Sequence, residues 1–265
     1  MPEWMVFLMA GKGTLSVFDT GKAAAAFAAE SWMKACRESA QTKGYFAAAL
    51  SGGRTPIHFY RVLSDNGKGL PWSKTHIFFA DERYVPATHK ESNYRMVRER
   101  LLSHVPVPED NVHRVRTQEA TAERAAETYE QEIRDFFGIE GDRIPEFDLI
   151  MLGIGEDGHT ASLFPSTRPL EDEKRAAIPV AAEKPPYARI SLTLPVLTTA
   201  QRIIFLVAGG EKAGVVREIV EDSESRLPAS LVKQRAKNVQ FVMDEGAASL
   251  LTLGIRPRRS FYDRL

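Results

Sequence analysis

Cysteine is almost missing from this chain of 265 residues: Cys36 stands alone, so no intrachain disulfide can form, which suits a reducing compartment. Trp32, Met33 and Ala35 surround it and make it a core residue rather than a nucleophile. Net charge is missing as well, with 35 Lys and Arg against 35 Asp and Glu. A nucleic-acid binder carries a basic excess to neutralise phosphates, so no nucleic acid is expected as a partner. Long apolar runs are lacking too. The stretch from Ile203 to Ala208 falls far short of the ~20 residues of a spanning helix. Met5 to Ala10 is apolar, but Glu3 precedes it and Lys12 follows it, whereas a secretory signal puts its positive charge first. A cytoplasmic protein without a membrane partner is expected. Repeats and Pro/Gly/Ser-rich linkers are also absent. Gly67 to Pro71 and Lys184 to Pro186 read as loops within one domain spanning residues 1–265. With 43% hydrophobic and 26% charged residues, such a domain can bury an ordinary globular core. The basic tail Arg256-Pro-Arg-Arg259 reads as a solvated terminus.

What is present alternates between strand-like and helix-like segments. Thr14 to Phe18 reads as a strand. Asp19 or Thr20 can cap the Ala-rich helix that follows, and Gly44 can close it. Tyr45 to Leu50 and His76 to Ala80 are continuously apolar strands, separated by a break and by a helix with Pro56 in its first turn. A polar loop is expected from Asp81 to about Glu91, then a helix capped by Ser92 or Asn93 and carrying Tyr94, Val97, Leu101 and Leu102. Thr121 to Phe137 has helical apolar spacing and stops at Gly138. Further strands are expected at Phe147 to Leu152, Arg189 to Leu194 (ended by Pro195), Arg202 to Val207 and Val239 to Met243. Helices are expected at Glu211 to Val220 and after Asp244. Continuous apolar strands between helices predict an α/β fold, a mostly parallel sheet with helices on both faces.

In such sheets ligands bind beyond the carboxyl ends of the strands, and four loops fall there. Ser51-Gly-Gly-Arg-Thr55 combines glycines, two hydroxyls and Arg54 ahead of a helix start. It is either a phosphate cradle or a simple tight turn, and its spacing is not that of a Walker A loop. Asp81-Glu82-Arg83 follows an apolar strand and, on residues alone, reads as a solvated strand end with an internal ion pair. Gly153-Ile-Gly-Glu-Asp-Gly-His159 matches the letter of the dinucleotide pattern G-x-G-x-x-G. Glu156 and Asp157 would repel a pyrophosphate, however, and Pro165 follows too soon for a long helix. What remains is a carboxylate two residues before a histidine on a glycine-rich turn, a pair suited to proton transfer. Asp81, Asp157 and His159 could ligate a metal, but no Cys or second nearby His completes a set, so none is expected. Finally, Lys212 stands at a helix start, where a cation opposes the helix dipole; it either meets an anion or is merely solvated.

Together these blocks are recognisable. Leu50-Ser-Gly-Gly-Arg-Thr-Pro56, Ala80-Asp-Glu-Arg83 with Ser92-Asn-Tyr94, Gly153-Ile-Gly-Glu-Asp-Gly-His-Thr-Ala-Ser-Leu-Phe-Pro165, Arg189-Ile-Ser-Leu-Thr-Leu-Pro195 and Gly210-Glu-Lys-Ala213 occur in that order. The chain resembles the 6-phosphogluconolactonase family from about Val17 to Leu251, and Pro228-Ala-Ser-Leu-Val232 matches a late element of that family. The resemblance implies a Rossmann-like fold shared with glucosamine-6-phosphate deaminases and ribose-5-phosphate isomerases. It implies hydrolysis of a small-molecule sugar-phosphate lactone, 6-phospho-D-glucono-1,5-lactone, in the pentose phosphate pathway, without metal or organic cofactor. It places the general base at His159, and Ser51, Gly52, Gly53, Arg54, Thr55 and Lys212 at the phosphate. Arg83 is assigned to the substrate or the oxyanion, Asp157 to orienting the histidine or the substrate hydroxyls, and Asp81 to binding the substrate, on a loop that Asn93 would tie in place. A monomer or small homo-oligomer is expected.

Two other readings are weighed against this one. The related deaminases carry a proton-relaying glutamate five positions after the histidine and a D-E-Y block, where this chain has Phe164 and Asp81-Glu82-Arg83. A non-catalytic sugar-phosphate sensor on the same fold would usually add a DNA-binding segment and could dispense with the histidine. Both readings fit these residues less well than the lactonase.

Overall fold

The computed structural model describes residues 6–10, 13–183 and 185–252. In chain order its first half holds β1 (Val6–Ala10), β2 (Gly13–Phe18), α1 (Gly21–Thr42), β3 (Phe46–Leu50), α2 (Ile57–Asn66), β4 (Thr75–Phe79), β5 (Asp81–Arg83), α3 (Asn93–Val97) and α4 (Ala122–Phe137). The second half holds β6 (Leu149–Leu152), β7 (Ala177–Ala181), β8 (Ala188–Leu192), α5 (Leu194–Thr199), β9 (Ile203–Val207), α6 (Ala213–Glu221), α7 (Pro228–Arg235), β10 (Val239–Asp244) and α8 (Glu245–Ala248). Seven strands form the main sheet in the order β1-β2-β10-β9-β6-β3-β4, parallel throughout except for β1 on β2.

β3 shows why the strands read as continuous apolar runs. Its Phe46, Ala48 and Leu50 pack with α1 and α2, including Trp32, Cys36 and Phe59. Ala47 and Ala49 pack on the opposite face with Tyr129 and Ile133 of α4 and with residues of α5, α6 and α7. Both faces are covered, so both alternating sets must be apolar. The alanines of α1 (Ala24, Ala25, Ala28 and Ala29) are fully buried and let that helix lie close to the sheet. Cys36 is fully buried, and burial pushes its thiol up to about 11, the behaviour of a core residue. The expected ends hold: Thr20 accepts from Ala23 N at 3.2 Å at the start of α1, and Gly138 closes α4 at φ 59°. β4 is an edge strand, sealed at Phe79 by the Tyr129 hydroxyl, which accepts from its N–H and donates to its carbonyl, each at 2.8 Å.

Three features depart from the sequence reading. The expected polar loop from Asp81 begins as a strand: β5 pairs antiparallel with β8, which pairs with β7 in a second sheet of order β5-β8-β7. Asp81 and Glu82 are 6% and 1% exposed, because hydrogen bonds inside the protein replace the water expected around them. β7 was not expected at all. Pro179 interrupts its pattern but is tolerated because β7 is the edge of the small sheet. Pro195 does not simply end a strand; β8 stops at Leu192, and Pro195 sits in the first turn of α5, where its missing N–H costs nothing. No helix among the described residues is long and apolar enough to cross a membrane. Lys12, Lys184 and the tail Arg256–Arg259 lie outside the described residues.

Ala80 is the seam between the sheets. Its N–H donates to Leu50 O and its carbonyl accepts from Leu192 N, both at 2.8 Å, so the small sheet is fixed at the carboxyl edge of the large one. From β3 the chain runs outward to β4, whereas β6 leads back toward β9, so the strand order reverses between β3 and β6. That is where a doubly wound sheet opens a crevice at its carboxyl edge.

Candidate active site

A cavity of about 260 Å³ occupies this crevice, and all four loops singled out by sequence reach it. The turn after β3 contributes Ser51 to Thr55. Gly52 fits there because it has no side chain: a Cβ would stand 1.8 Å from Asn93 Oδ1. Gly53 has φ +96°, the left-handed region that favours glycine. Ser51 is buried and commits its hydroxyl proton to Met151 O at 2.7 Å, while Tyr60 donates to its carbonyl at 2.5 Å. It therefore braces the turn against β6. The groups left facing an anion are the backbone of the turn, Thr55 and the exposed Arg54.

On the turn after β6, His159 and Asp157 form a pair. Asp157 Oδ1 accepts from His159 Nδ1 at 2.5 Å and from its backbone N–H at 3.2 Å. Burial opposes ionisation of Asp157, but the histidine's charge and hydrogen bonds outweigh it and hold the carboxyl below its usual range. His159 lines the cavity, and Asp157 stands behind it. With Nδ1 engaged, Nε2 is the ring nitrogen free to take a proton. Gly155 is required here as Gly52 is above, since a Cβ would come within 2.0 Å of His159 Nδ1. On the other side of the imidazole lies Phe164, ring centroids 4.8 Å apart.

The two remaining loops bring charge. Lys212, the residue before α6, is largely buried on the cavity wall, with Glu156 Oε1 at 4.0 Å as its ion-pair partner among the described residues. Arg83 at the end of β5 donates from Nη1 to Glu91 O at 2.9 Å, and its buried Nε has no hydrogen-bond partner among the described residues. Asp81 is tied down from two sides, accepting from Ser162 Oγ at 2.6 Å and from Asn93 Nδ2 at 3.1 Å. Asn93 thus ties the Asp81 segment in place as the sequence reading expected. Sequence reasoning treated Arg189 only as a strand residue. It opposes Arg83 in register and reaches the cavity with its guanidinium 5.7 Å from the Phe164 ring. Burial lowers its pKa, Asp81 raises it and Arg83 lowers it further. Alternation puts Arg189 on the polar face of its strand with Ser191 and Thr193, but the sequence does not show that this face meets the cavity, because the pairing of β8 with β5 joins segments about a hundred residues apart. Arg54, Arg83, Arg189 and Lys212 line one cavity together with the His159 imidazole and the carboxylates of Asp81, Glu156 and Glu211, so cationic side chains outnumber anionic ones on its wall. Among the described residues no group of three or more His, Cys, Asp and Glu side chains could hold a metal ion.

Comparison with known proteins agrees over most of the chain. A family model described as glucosamine-6-phosphate isomerases/6-phosphogluconolactonase matches residues 19–241. The 6-phosphogluconolactonase of Homo sapiens is 39% identical over 250 residues, 91% of this chain and 95% of that protein. That of Synechocystis sp. is 39% identical over 211 residues, covering 79% of this chain and 86% of its own. Among solved structures, the 6-phosphogluconolactonase from Trypanosoma brucei superposes with a TM-score of 0.81 at 31% identity, covering 89% of this chain and 98% of that one.

Proposed function

This chain belongs to the glucosamine-6-phosphate isomerase/6-phosphogluconolactonase family and is an enzyme of its lactone-hydrolysing branch; we propose that it hydrolyses 6-phospho-D-glucono-1,5-lactone to 6-phospho-D-gluconate with His159 as general base. The observation that carries this reading is one cavity lined by His159, which Asp157 holds from behind, by the Ser51–Thr55 turn and by Lys212.

A lactone is an activated ester, so a positioned water, a base and an oxyanion partner suffice without a nucleophilic side chain. His159 Nε2 takes a proton from water as the water oxygen bonds to the lactone carbonyl carbon. The carbonyl electrons move onto oxygen, where Arg83 or a backbone N–H of the Gly153–Gly155 turn meets the charge. Collapse of the intermediate breaks the bond to the ring oxygen, which leaves with the proton from the imidazolium. Asp157 fixes the tautomer and steadies the cation between these two transfers. The phosphate, held by Lys212, Arg54 and the backbone of the Ser51–Thr55 turn, anchors the far end of the sugar.

Phe164 separates this chemistry from that of the deaminases, because a ring packed on the imidazole cannot relay a proton. Purified protein should open the phosphorylated lactone well above its spontaneous rate and release no ammonia from glucosamine 6-phosphate. Ammonia release at an enzymatic rate would reverse the ranking of the two reactions. Exhaustive treatment with EDTA should leave lactone hydrolysis unchanged, and a loss restored by a single divalent ion would contradict the metal-free mechanism.

A further inference from the structure

We propose that Glu82, which does not reach the cavity, is a positioning residue that fixes Arg83 for the reaction. The inference rests on the lactonase reading above. Glu82 is 1% exposed, and both carboxylate oxygens are fully used. Oε1 accepts from the backbone N–H groups of Arg83 and Asn93, both at 2.7 Å. Oε2 accepts from Tyr94 N at 2.8 Å and from Ser92 Oγ at 3.1 Å. One carboxylate therefore joins β5 to the first residues of α3, whose N–H groups have no partner within the helix.

The linkage closes on Arg83. Glu91 directly precedes the Ser92–Tyr94 segment that Glu82 grips, and Glu91 O receives Arg83 Nη1 at 2.9 Å. The backbone and the guanidinium of Arg83 are thus set by the same carboxylate, the first directly and the second through α3. Nε of that guanidinium has no hydrogen-bond partner among the described residues, and Arg83 lies on the cavity wall. Asn93, gripped by the same oxygen, holds Asp81 through its side chain.

A buried charge is an expensive way to brace a loop. Burial pushes the carboxyl of Glu82 up to about 6; the three backbone N–H bonds pull it down and neighbouring Asp81 pushes it up. The other groups around it are the Arg83 side chain on its own strand, Tyr94 and Ser92 from α3, Ile190 opposite it on β8 and the Tyr129 phenol from α4. None of these is a cation that neutralises it except Arg83, whose guanidinium is turned to Glu91 O. Since the folded value lies above the unfolded one, the protonated form favours the fold. That stability is fully present below the unfolded value and is lost as pH rises through about 6. At pH 8 the ionised group therefore weakens the fold while holding Arg83.

A double-mutant cycle on the whole enzyme tests this. Glu82→Gln keeps the shape but turns an amide NH2 toward a backbone N–H, and should lower kcat/KM for the phosphorylated lactone by roughly 10- to 100-fold, the scale of a small misplacement of a reacting group. In the Arg83→Met background the same change should cost less than about two-fold, since there is no guanidinium left to position. Glu82→Gln leaves buried donors without their acceptor, so its melting temperature should fall by a similar amount in both backgrounds, whereas the loss of kcat/KM should depend on Arg83. Equal losses of kcat/KM in both backgrounds would make Glu82 a simple structural brace and overturn the proposal. Should Glu82→Gln fail to fold, Ser92→Ala removes one of the four bonds, together with the cap that Ser92 Oγ gives Arg95 N at 3.2 Å, and should show a smaller loss with the same dependence on Arg83. A wild-type protein without turnover would instead refute the lactonase reading. Amide exchange at Arg83 and Asn93 would then still show whether Glu82 holds them, faster exchange in the variant supporting the proposal and unchanged exchange refuting it.

Discussion

His159→Ala should lower kcat for the phosphorylated lactone by about 10²- to 10⁴-fold, or roughly 2.7–5.5 kcal/mol of transition-state stabilisation, the usual range for losing a general base. The size follows from the arrangement of the pair. Asp157 engages Nδ1 at 2.5 Å, so the base is both oriented and held in one tautomer before substrate arrives. Water then loses its proton to a nitrogen already in place, rather than to bulk solvent. The effect should fall on kcat far more than on KM, because the phosphate contacts are untouched. Steady-state kinetics corrected for spontaneous opening of the lactone measures it. A variant that keeps most of its turnover would remove His159 from the role of base.

Lys212→Met should lower kcat/KM for the phosphorylated lactone by roughly 10- to 100-fold, about 1.4–2.7 kcal/mol. The Lys212 side chain is mostly withdrawn from water, and among the described residues its ion-pair partner is Glu156 at the long distance of 4.0 Å, which leaves room for a closer anion. A phosphate dianion brought against it gains charge-assisted hydrogen bonds of ~1.5–3 kcal/mol each. Methionine keeps the unbranched shape and removes only the ammonium. The loss should appear mainly in KM. An unchanged KM would pass the anion to Arg54, Arg83 or Arg189, which share the same cavity.

The fold and the position of the site were largely legible because they depend on features that sequence displays. Strands buried on both faces must be apolar at successive positions, so β3, β4, β6 and β9 showed themselves as runs, and the loops after them had to meet at one edge. Glycines at 52 and 155 and the histidine that follows were visible as residues, and the close approaches of Gly52 to Asn93 and of Gly155 to His159 supply the reason they are there.

What was not legible has a common cause. Charged residues read as solvated unless their partners are known, and partners distant in sequence cannot be seen from composition or period. Glu82 reads as the middle of a solvated strand end, yet three of its four hydrogen bonds come from Ser92, Asn93 and Tyr94, and it is buried. Asp81 is held by Ser162, 81 positions away. Ser51 reads as a donor to an anion, whereas its hydroxyl proton goes to Met151 of the neighbouring strand. The antiparallel sheet of β5, β8 and β7 escaped for a related reason: its strands carry charge or proline at positions where a buried strand of the main sheet would be apolar. Arg189 then followed β8 into the cavity unnoticed.

In the proposed mechanism two residues of one cavity divide the labour, with chemistry at His159 and recognition of the phosphate at Lys212. The ratio of kcat/KM for 6-phosphoglucono-1,5-lactone to that for glucono-1,5-lactone, measured in wild type, His159→Ala and Lys212→Met, tests that division most directly. Lys212→Met should cut the ratio roughly 10- to 100-fold and leave the already slow phosphate-free reaction almost unchanged. His159→Ala should damage both substrates alike and leave the ratio where it was, because both need the same attacking water. A ratio that survives Lys212→Met because both substrates suffer equally would contradict the phosphate site, and a ratio that collapses in His159→Ala would contradict the base.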